Sequence, residues 1–230
     1  MQPANTQDIE NIDQTKDETS AHHIRTLRIQ RLVAALVTVA IGVLFLALPA
    51  YLTVGPNWLL LVLEGILLLP LLFLEYFNHL LSHRTTRLLM LAMLGVATAA
   101  LASGIALLIT SLPGNNNAPL LLRSAALLWC SNVLVFALWY WEIDGGGPLK
   151  RHLMRHKAVD FMFPQQTDGN TSNWMPHFLD YLFVAFTGAT ALSPADTYPL
   201  TRVAKGLMMI EAVFSMIVIV LLAARAVNIL

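Results

Sequence analysis

The sequence predicts an all-α fold, a polytopic transmembrane helical bundle with six spans. Of its 230 residues, 57% are hydrophobic and only 12% are charged, and the mean hydropathy is +0.63. The apolar residues occur in runs of about 20, the length that an α-helix needs to cross a hydrocarbon core of about 30 Å. Basic residues concentrate between alternate runs. We therefore interpret the runs as membrane spans.

The first 30 residues are polar and end in a basic stretch. Their composition is typical of a disordered segment, so residues 1–30 are predicted to form a cytoplasmic tail. They contain no apolar stretch followed by a small-residue cleavage site, and no signal peptide is expected.

Residues 31–143 are predicted to form a four-helix transmembrane region. The turn-forming residues at 55–57 and 113–117 separate the first span from the second and the third from the fourth. A glycine run and Pro148 then end the fourth helix, because neither continues a helix well. The four predicted spans cover 32–52, 58–77, 88–112 and 119–141.

Residues 144–175 are predicted to form a cytoplasmic loop, because Pro164, Asp168 and Gly169 exclude a continuous helix. The remainder, 176–230, is predicted to be a two-helix region. We interpret 174–192 as a complete fifth span, with a re-entrant, pore-type helix as the alternative. The sixth span runs from about Gly206 to the C-terminus.

Basic residues set the orientation, because Lys and Arg in short loops stay on the cytoplasmic side. Nine fall on one side of the six-span arrangement, and the alternate loops at 53–57 and 113–118 have none. The sequence thus predicts a multi-pass protein of the inner (cytoplasmic) membrane with both termini in the cytoplasm. Arg123, Arg202 and Lys205 are exceptions. The nine are Arg25, Arg28, Arg31, Arg84, Arg87, Lys150, Arg151, Arg155 and Lys157.

Overall charge and cysteine content exclude several classes of partner and structure. The formal net charge is zero, so no nucleic-acid partner is expected and the lipid bilayer is the predicted partner. Cys130 is the only cysteine, which excludes an intramolecular disulfide and a CxxC metal motif.

Ionisable residues inside apolar spans are candidates for function, because a charge at membrane depth costs about 2.5–3.5 kcal/mol on insertion scales. Glu64, Asp180 and Glu211 are such residues. For Glu64 and Glu211, a place on a transport pathway and an interhelical hydrogen bond are equally good interpretations. Asp180 lies near the start of its helix, where capping of the N-terminus is the better interpretation.

Two histidine pairs raise the possibility of a metal site. His79 and His83, like His152 and His156, are four residues apart and so share a helix face, and Glu75 precedes the first pair by one turn. Both pairs fall on the cytoplasmic side, so they could converge on a metal ion, as in membrane metal-dependent hydroxylases. Those enzymes have more histidines than the seven here. Solvated or headgroup-facing histidines are the competing interpretation.

Catalytic motifs give little support to an enzyme. The chain has no GxSxG, P-loop or GxGxxG sequence, and the glycines at 145–147 follow no predicted strand. We therefore assign no catalytic residue and expect no cofactor.

The stretch FTGATALSPADTYPLTRVAKGLMMIE, from Phe186 to Glu211, resembles the pore region of two-helix potassium channels. In that family a pore helix is followed by T-x-G-Y-G-D, then x-x-P-L-T, a basic residue and an inner helix. The resemblance implies a pore helix, a filter and an inner helix in this part of the chain. The matching positions are Phe186, Thr190, Asp196, Pro199, Leu200, Thr201, Ala204, Lys205, Leu207 and Glu211.

The chain departs from the channel pattern at the filter. Ser193 and Ala195 replace the two filter glycines, and Pro194 replaces the tyrosine. Filter carbonyls point inward because glycine adopts backbone angles that other residues avoid, and proline excludes several of them. A potassium-selective filter of the family's geometry is therefore not expected. Taking the fourth span as a channel's outer helix would also place the basic residues at 150–157 outside, against the charge rule.

Longer strings resemble a second family. WYWEIDGGGP, DFMFPQ, FLDYLFVAFTGATALSPADT and AARAVNIL, within residues 139–230, are similar to a family of uncharacterised bacterial inner-membrane proteins. This resemblance implies membership and location, and no mechanism.

The sequence favours a channel-like or transporter-like membrane protein, a homo-oligomer that passes monovalent cations non-selectively. A membrane metalloenzyme at the cytoplasmic face and a non-transporting membrane scaffold are the alternatives. The residues expected to line a pathway are Thr190, Ser193, Pro194, Ala195, Asp196 and Glu211.

Overall fold

The computed structural model describes residues 32–76, 83–111, 117–154, 156–172, 174–190 and 196–227. These residues are mostly helical, and three of their helices are long and apolar enough to cross a membrane. Those three stretches are Arg84–Ser111, Pro119–Gly146 and Arg202–Ala224.

The helices of the described residues are numbered in chain order. They are α1 Leu32–Leu46, α2 Leu59–Tyr76, α3 His83–Ser111, α4 Ala118–Ile143, α5 Pro148–Leu153, α6 Phe178–Ala189 and α7 Arg202–Val227. Single 3-10 turns occupy Ala50–Leu52, Asp144–Gly146 and Pro164–Gln166. Two short strands, β1 Phe161–Met162 and β2 Tyr198–Pro199, pair antiparallel with Phe161 opposite Pro199.

The first helix is shorter than the span predicted over 32–52. It ends at Leu46, because Pro49 disfavours the helical conformation of the residue before it. The side-chain amide of Asn57 donates to the carbonyl of Leu48 at 2.6 Å, which pairs a carbonyl in the turn that follows the helix. Proline and this hydrogen bond together turn the chain toward α2.

The core is centred on α4, which packs against α3, α6 and α7. Its side chains Phe136, Tyr140 and Trp141 are fully buried, as is Tyr181 of α6. The Trp141 and Tyr181 rings meet edge to face, with centroids 5.5 Å apart, and Phe136 meets Phe214 of α7 at 6.2 Å. Close packing of this kind, with interhelical hydrogen bonds, holds helices together where lipid tails are as apolar as the side chains.

One end of the bundle, which we call the loop end, holds residues 144–154 and 156–172 together with 198–202. The β1–β2 pairing joins the two segments there. The Asp160 carbonyl accepts from the amide of Leu200, and the Asp160 carboxylate accepts from the Thr201 hydroxyl, both at 2.8 Å. Hence α7 begins at the end of the bundle where α4 finishes, and the two helices run antiparallel.

The short helix α6 also begins at the loop end, because the Tyr181 hydroxyl donates to the carboxylate of Asp144. It stops beside the middle of α7, where the hydroxyl of Ser215 donates to the carbonyl of Ala189. Ser215 lies 13 residues after Arg202, about 20 Å along the helix. The chain is back at the loop end by β2.

The prediction of one complete helix over 174–192 is therefore corrected. Of the residues described there, 174–190, only Phe178–Ala189 are helical, and twelve residues rise about 18 Å, less than the hydrocarbon thickness. Pro176 keeps the preceding residues out of the helix. The last helix, expected from about Gly206, begins earlier at Arg202, where the Thr201 hydroxyl accepts from the amide of Ala204 at 3.3 Å.

Candidate functional site between α4, α6 and α7

The start of α6 is attached to α4 through the buried carboxylate of Asp144. Its Oδ1 accepts from the amides of Asp160 and Phe161 at 3.1 and 3.2 Å, and its Oδ2 accepts from the Tyr181 hydroxyl. Asp144 is only 2% exposed, so these donors replace the water that the carboxylate would otherwise bind.

Arg151 brings a buried positive charge to the same place. Its Nη1 donates to the carbonyls of Trp141 and Asp144 at 3.0 and 3.1 Å, and lies 3.9 Å from the Asp144 carboxylate. The guanidinium also lies over the rings of Trp141 and Tyr181, 4.7 and 5.1 Å from their centroids. Ion pairing, hydrogen bonds and cation–π contacts thus compensate the charge.

Asp160 extends this network to α7. One carboxylate oxygen accepts from the amide of Gly145 at 2.9 Å, and the other accepts from Thr201. Gly145 has φ of +61°, and a Cβ atom there would lie 3.3 Å from the Cβ of Arg151. A glycine is required because left-handed backbone and close packing coincide at this residue. We call Asp144, Arg151, Asp160, Tyr181 and Thr201 the loop-end network.

The inner end of α6 meets a second buried carboxylate, that of Glu211 on α7. Glu211 is fully buried, and one of its oxygens accepts from the Tyr140 hydroxyl. A Cβ atom on Gly188 would lie 2.9 Å from that oxygen, so the absence of a side chain on α6 admits the carboxylate. The Asn132 side-chain amide donates to the Glu211 backbone carbonyl at 3.2 Å. Three helices therefore meet around Glu211.

Several hydrogen-bond acceptors lie at the C-terminal end of α6. The carbonyls at the C-terminus of a helix carry partial negative charge, and α6 ends here beside the Glu211 carboxylate. The hydroxyl of Thr190 donates to the carbonyl of Phe186 at 2.9 Å. The hydroxyl of Ser215 accepts from Trp129 Nε1 at 2.9 Å and donates to the carbonyl of Ala189. The second Glu211 oxygen has no hydrogen-bond partner among the described residues. Such an arrangement can attract a cation or carry a proton.

The predicted pathway residues do not form one cluster in the described part of the chain. Thr190 lies at the inner end of α6, and Asp196 is exposed near the loop end. Glu211 points into the protomer and lies behind α6, away from the exposed face of α7. The prediction for Ser193, Pro194 and Ala195 concerns residues outside the described ones.

Of the other two residues predicted to be buried and polar, Glu64 is buried but Asp180 is only half-buried. Glu64 on α2 is 1% exposed, and its carboxylate lies against α1, where a Cβ on Gly42 would be 2.7 Å from Oε2. It is separate from the α4–α6–α7 site. The Asp180 carboxylate accepts from the amide of His177 at 2.7 Å, the capping arrangement expected at the start of α6.

The structure brings together one of the two histidine pairs. His152 Nδ1 and His156 Nε2 are 3.1 Å apart. His79 lies outside the described residues, as do the side chains of Glu75 and His83. Among the described side chains, no three of His, Cys, Asp or Glu are grouped so as to hold a metal ion. The metal site remains a prediction.

The sequence did not identify the residues that hold the two ends of α6 in place. The sequence predicts a loop for Asp144 and Arg151, and it gives Tyr140 no role beyond a place near the end of the fourth span. The available signal was a carboxylate directly before a glycine run, followed by a basic residue seven positions on. Only the turn brings the two side chains together.

No family model, curated protein or solved structure matches this chain. Its class is defined by its fold, a helical protein with three helices capable of crossing a membrane and a short helix fastened between two of them. The resemblances to channel pores and to an inner-membrane family remain predictions.

Proposed function

We propose that this chain is an integral membrane protein in which α4, α6 and α7 form a channel-like unit with α6 as a re-entrant helix. The observation that carries the proposal is that α6 begins at the loop end, stops about 18 Å in, and is followed by β2 at the loop end again. Residues 190–197 can reach about 26 Å when extended, enough for the return. A chain that enters and leaves on the same side is typical of segments that line selectivity filters and other cavities.

The placement of charge supports a re-entrant α6. If α6 does not cross, the chain crosses five times, and Arg202 and Lys205 join the other basic residues on the cytoplasmic side. The six-span arrangement left both outside. With five crossings the C-terminus and Arg225 lie outside, whereas the six-span prediction has a cytoplasmic C-terminus. The loop end then faces the cytoplasm.

We place the partner copies of a homo-oligomer against the exposed apolar faces of α6 and α7. On α7 the exposed side chains of Met209, Val213, Met216 and Val220 recur at helical spacing, and on α6 those of Leu179, Phe183 and Phe186 do the same. Further copies packed on this face would cover these side chains and enclose a pathway.

Monovalent cations are the proposed substrates. Asp196 supplies an exposed negative charge near the loop end, and the carbonyl end of α6 faces the interior. Because Ser193, Pro194 and Ala195 stand at the filter positions, little discrimination between potassium and sodium is expected.

The topology can be tested by labelling single cysteines with a membrane-impermeant reagent, in a Cys130→Ala background. Asn116→Cys and Ile229→Cys should be labelled in intact cells, and His83→Cys and Thr171→Cys only after permeabilisation. Labelling of Ile229→Cys that requires permeabilisation would support six crossings and exclude the re-entrant α6.

Cation flux can be tested in liposomes that contain the purified protein. We expect potassium and sodium to pass at similar rates, and Asp196→Asn to reduce both by about tenfold at low ionic strength, because it removes an attractive charge from the mouth. The matched control is Asp168→Asn, another exposed carboxylate at the loop end. Wild-type protein that passes neither ion would favour the scaffold function.

A further inference from the structure

Three consecutive glycines at the end of α4 make an unusual turn. Gly145, Gly146 and Gly147 have φ of +61°, +81° and +100°, angles that side chains disfavour. Two cationic groups converge on the middle glycine. Arg87 Nη1 and Lys150 Nζ lie 3.4 and 3.5 Å from the position that a Cβ on Gly146 would occupy. Glycine therefore keeps open the space that the two cations share.

A small pocket of about 40 Å³ adjoins this turn, between the starts of α1 and α3 and the end of α4. Its polar lining comes from Thr86, Arg87 and Glu142, and its apolar lining from Ala34, Met90 and Leu149, among others. The pocket therefore offers a cationic corner beside an apolar wall.

Charged side chains of both signs surround the pocket. Arg87 and Glu142 line it, with Glu142 Oε1 3.4 Å from the Cβ position of Gly147, and Lys150 lies beside its glycine wall. The Nε of Arg87 is buried and has no hydrogen-bond partner among the described residues. This buried donor is thus available to an anion, with a second cation close by.

We propose that this pocket binds the phosphate group of an anionic phospholipid. A guanidinium and an ammonium suit phosphate oxygens, and the pocket of about 40 Å³ is small, as a phosphate group requires. The remainder of the lipid would lie along the apolar wall. Basic pockets between helices on the cytoplasmic side are typical sites for such headgroups. The exposed Leu153 of α5 agrees with an interfacial position.

This inference rests on the membrane placement in the proposed function, but not on conduction. Native mass spectrometry of the full-length protein in detergent can count bound phosphatidylglycerol directly. We expect wild type to retain it and Arg87→Gln or Lys150→Gln to bind about fivefold more weakly, since each removes one basic contact. The control is Lys157→Gln, an exposed lysine at the loop end.

Two further ligands decide the source of the phosphate. Phosphatidylcholine tests whether binding needs a net negative charge on the headgroup. Inorganic phosphate tests whether binding needs the rest of the lipid. Equal retention of phosphatidylcholine, competition by inorganic phosphate at equal concentration, or undiminished binding by the Arg87→Gln and Lys150→Gln variants would each overturn the proposal. Because binding is counted and flux is not measured, a failed flux experiment leaves this result unaffected.

Discussion

Replacing Asp144 with alanine is expected to lower the free energy of unfolding by about 3–5 kcal/mol, the usual effect of breaking a buried ion pair. The change removes the acceptor for two backbone amides and the Tyr181 hydroxyl. It also leaves Arg151, which is 2% exposed, without its carboxylate. Thermal unfolding in detergent, compared with wild type, measures the loss.

Asp168→Ala is the matched control for this measurement. The Asp168 side chain is exposed, and hydrogen bonds, chiefly from the Thr171 hydroxyl, hold the pKa of its carboxyl below the usual value. It is therefore ionised at neutral pH like a surface carboxylate, and its removal should change stability little. Equal melting temperatures for the Asp144 and Asp168 variants would contradict the role assigned to the loop-end network.

A double variant distinguishes two contributions of Arg151 to stability, the cost of its buried charge and its packing against the neighbouring rings. In Asp144→Ala with Arg151→Met, no unpaired cation remains, so the double variant should be more stable than Asp144→Ala alone. If it is less stable, the contribution of Arg151 lies in its packing on Trp141 and Tyr181.

Replacing Glu211 with alanine is expected to cost about 2–5 kcal/mol, because it opens a cavity between three helices and leaves the Tyr140 hydroxyl without its acceptor. Glu211→Gln should cost much less, since the amide oxygen can still accept that hydrogen bond. A double-mutant cycle of Glu211→Ala with Tyr140→Phe should give a coupling free energy of about 0.5–3 kcal/mol, as for other residues in contact.

Flux measurements on the same variants identify the role of Glu211. Its carboxylate packs against Gly188 inside the protomer, so we expect it to support α6 from behind. Glu211→Gln should then leave cation flux nearly unchanged. A large change in flux with unchanged stability would place Glu211 on the pathway instead. If the stability effects of the Glu211 and Tyr140 substitutions simply add, the hydrogen bond between the two side chains contributes nothing.

The fifth apolar segment illustrates why hydropathy alone could not decide its path. A complete span and a half-helix with a returning segment have similar composition, because both are surrounded by apolar material. In the structure, contacts with residues distant in sequence locate the two ends of α6, from Asp144 to Tyr181 at one end and from Ser215 to Ala189 at the other. The prediction treated the charges of Arg202 and Lys205 as exceptions, although they agree with a start of α7 on the basic side.

The candidate site was predictable only in part. Glu211 and Glu64 were identified because a carboxylate within an apolar run is conspicuous whatever its partners. Tyr140 and Asp144 were not, because tyrosines and acidic residues at the end of a span are ordinary interfacial residues in sequence. Their roles depend on which helix lies opposite.

By itself, the sequence determined that the chain is built of apolar helices and where most of them end. These properties are local, since helical hydrogen bonds join residues four apart and proline or glycine interrupts them in place. Only the tertiary structure decided that α6 ends beside the middle of α7 and which buried charges share a network. Among the described residues, those outcomes depend on hydrogen bonds between residues up to 86 apart, such as Trp129 and Ser215, which no local pattern encodes.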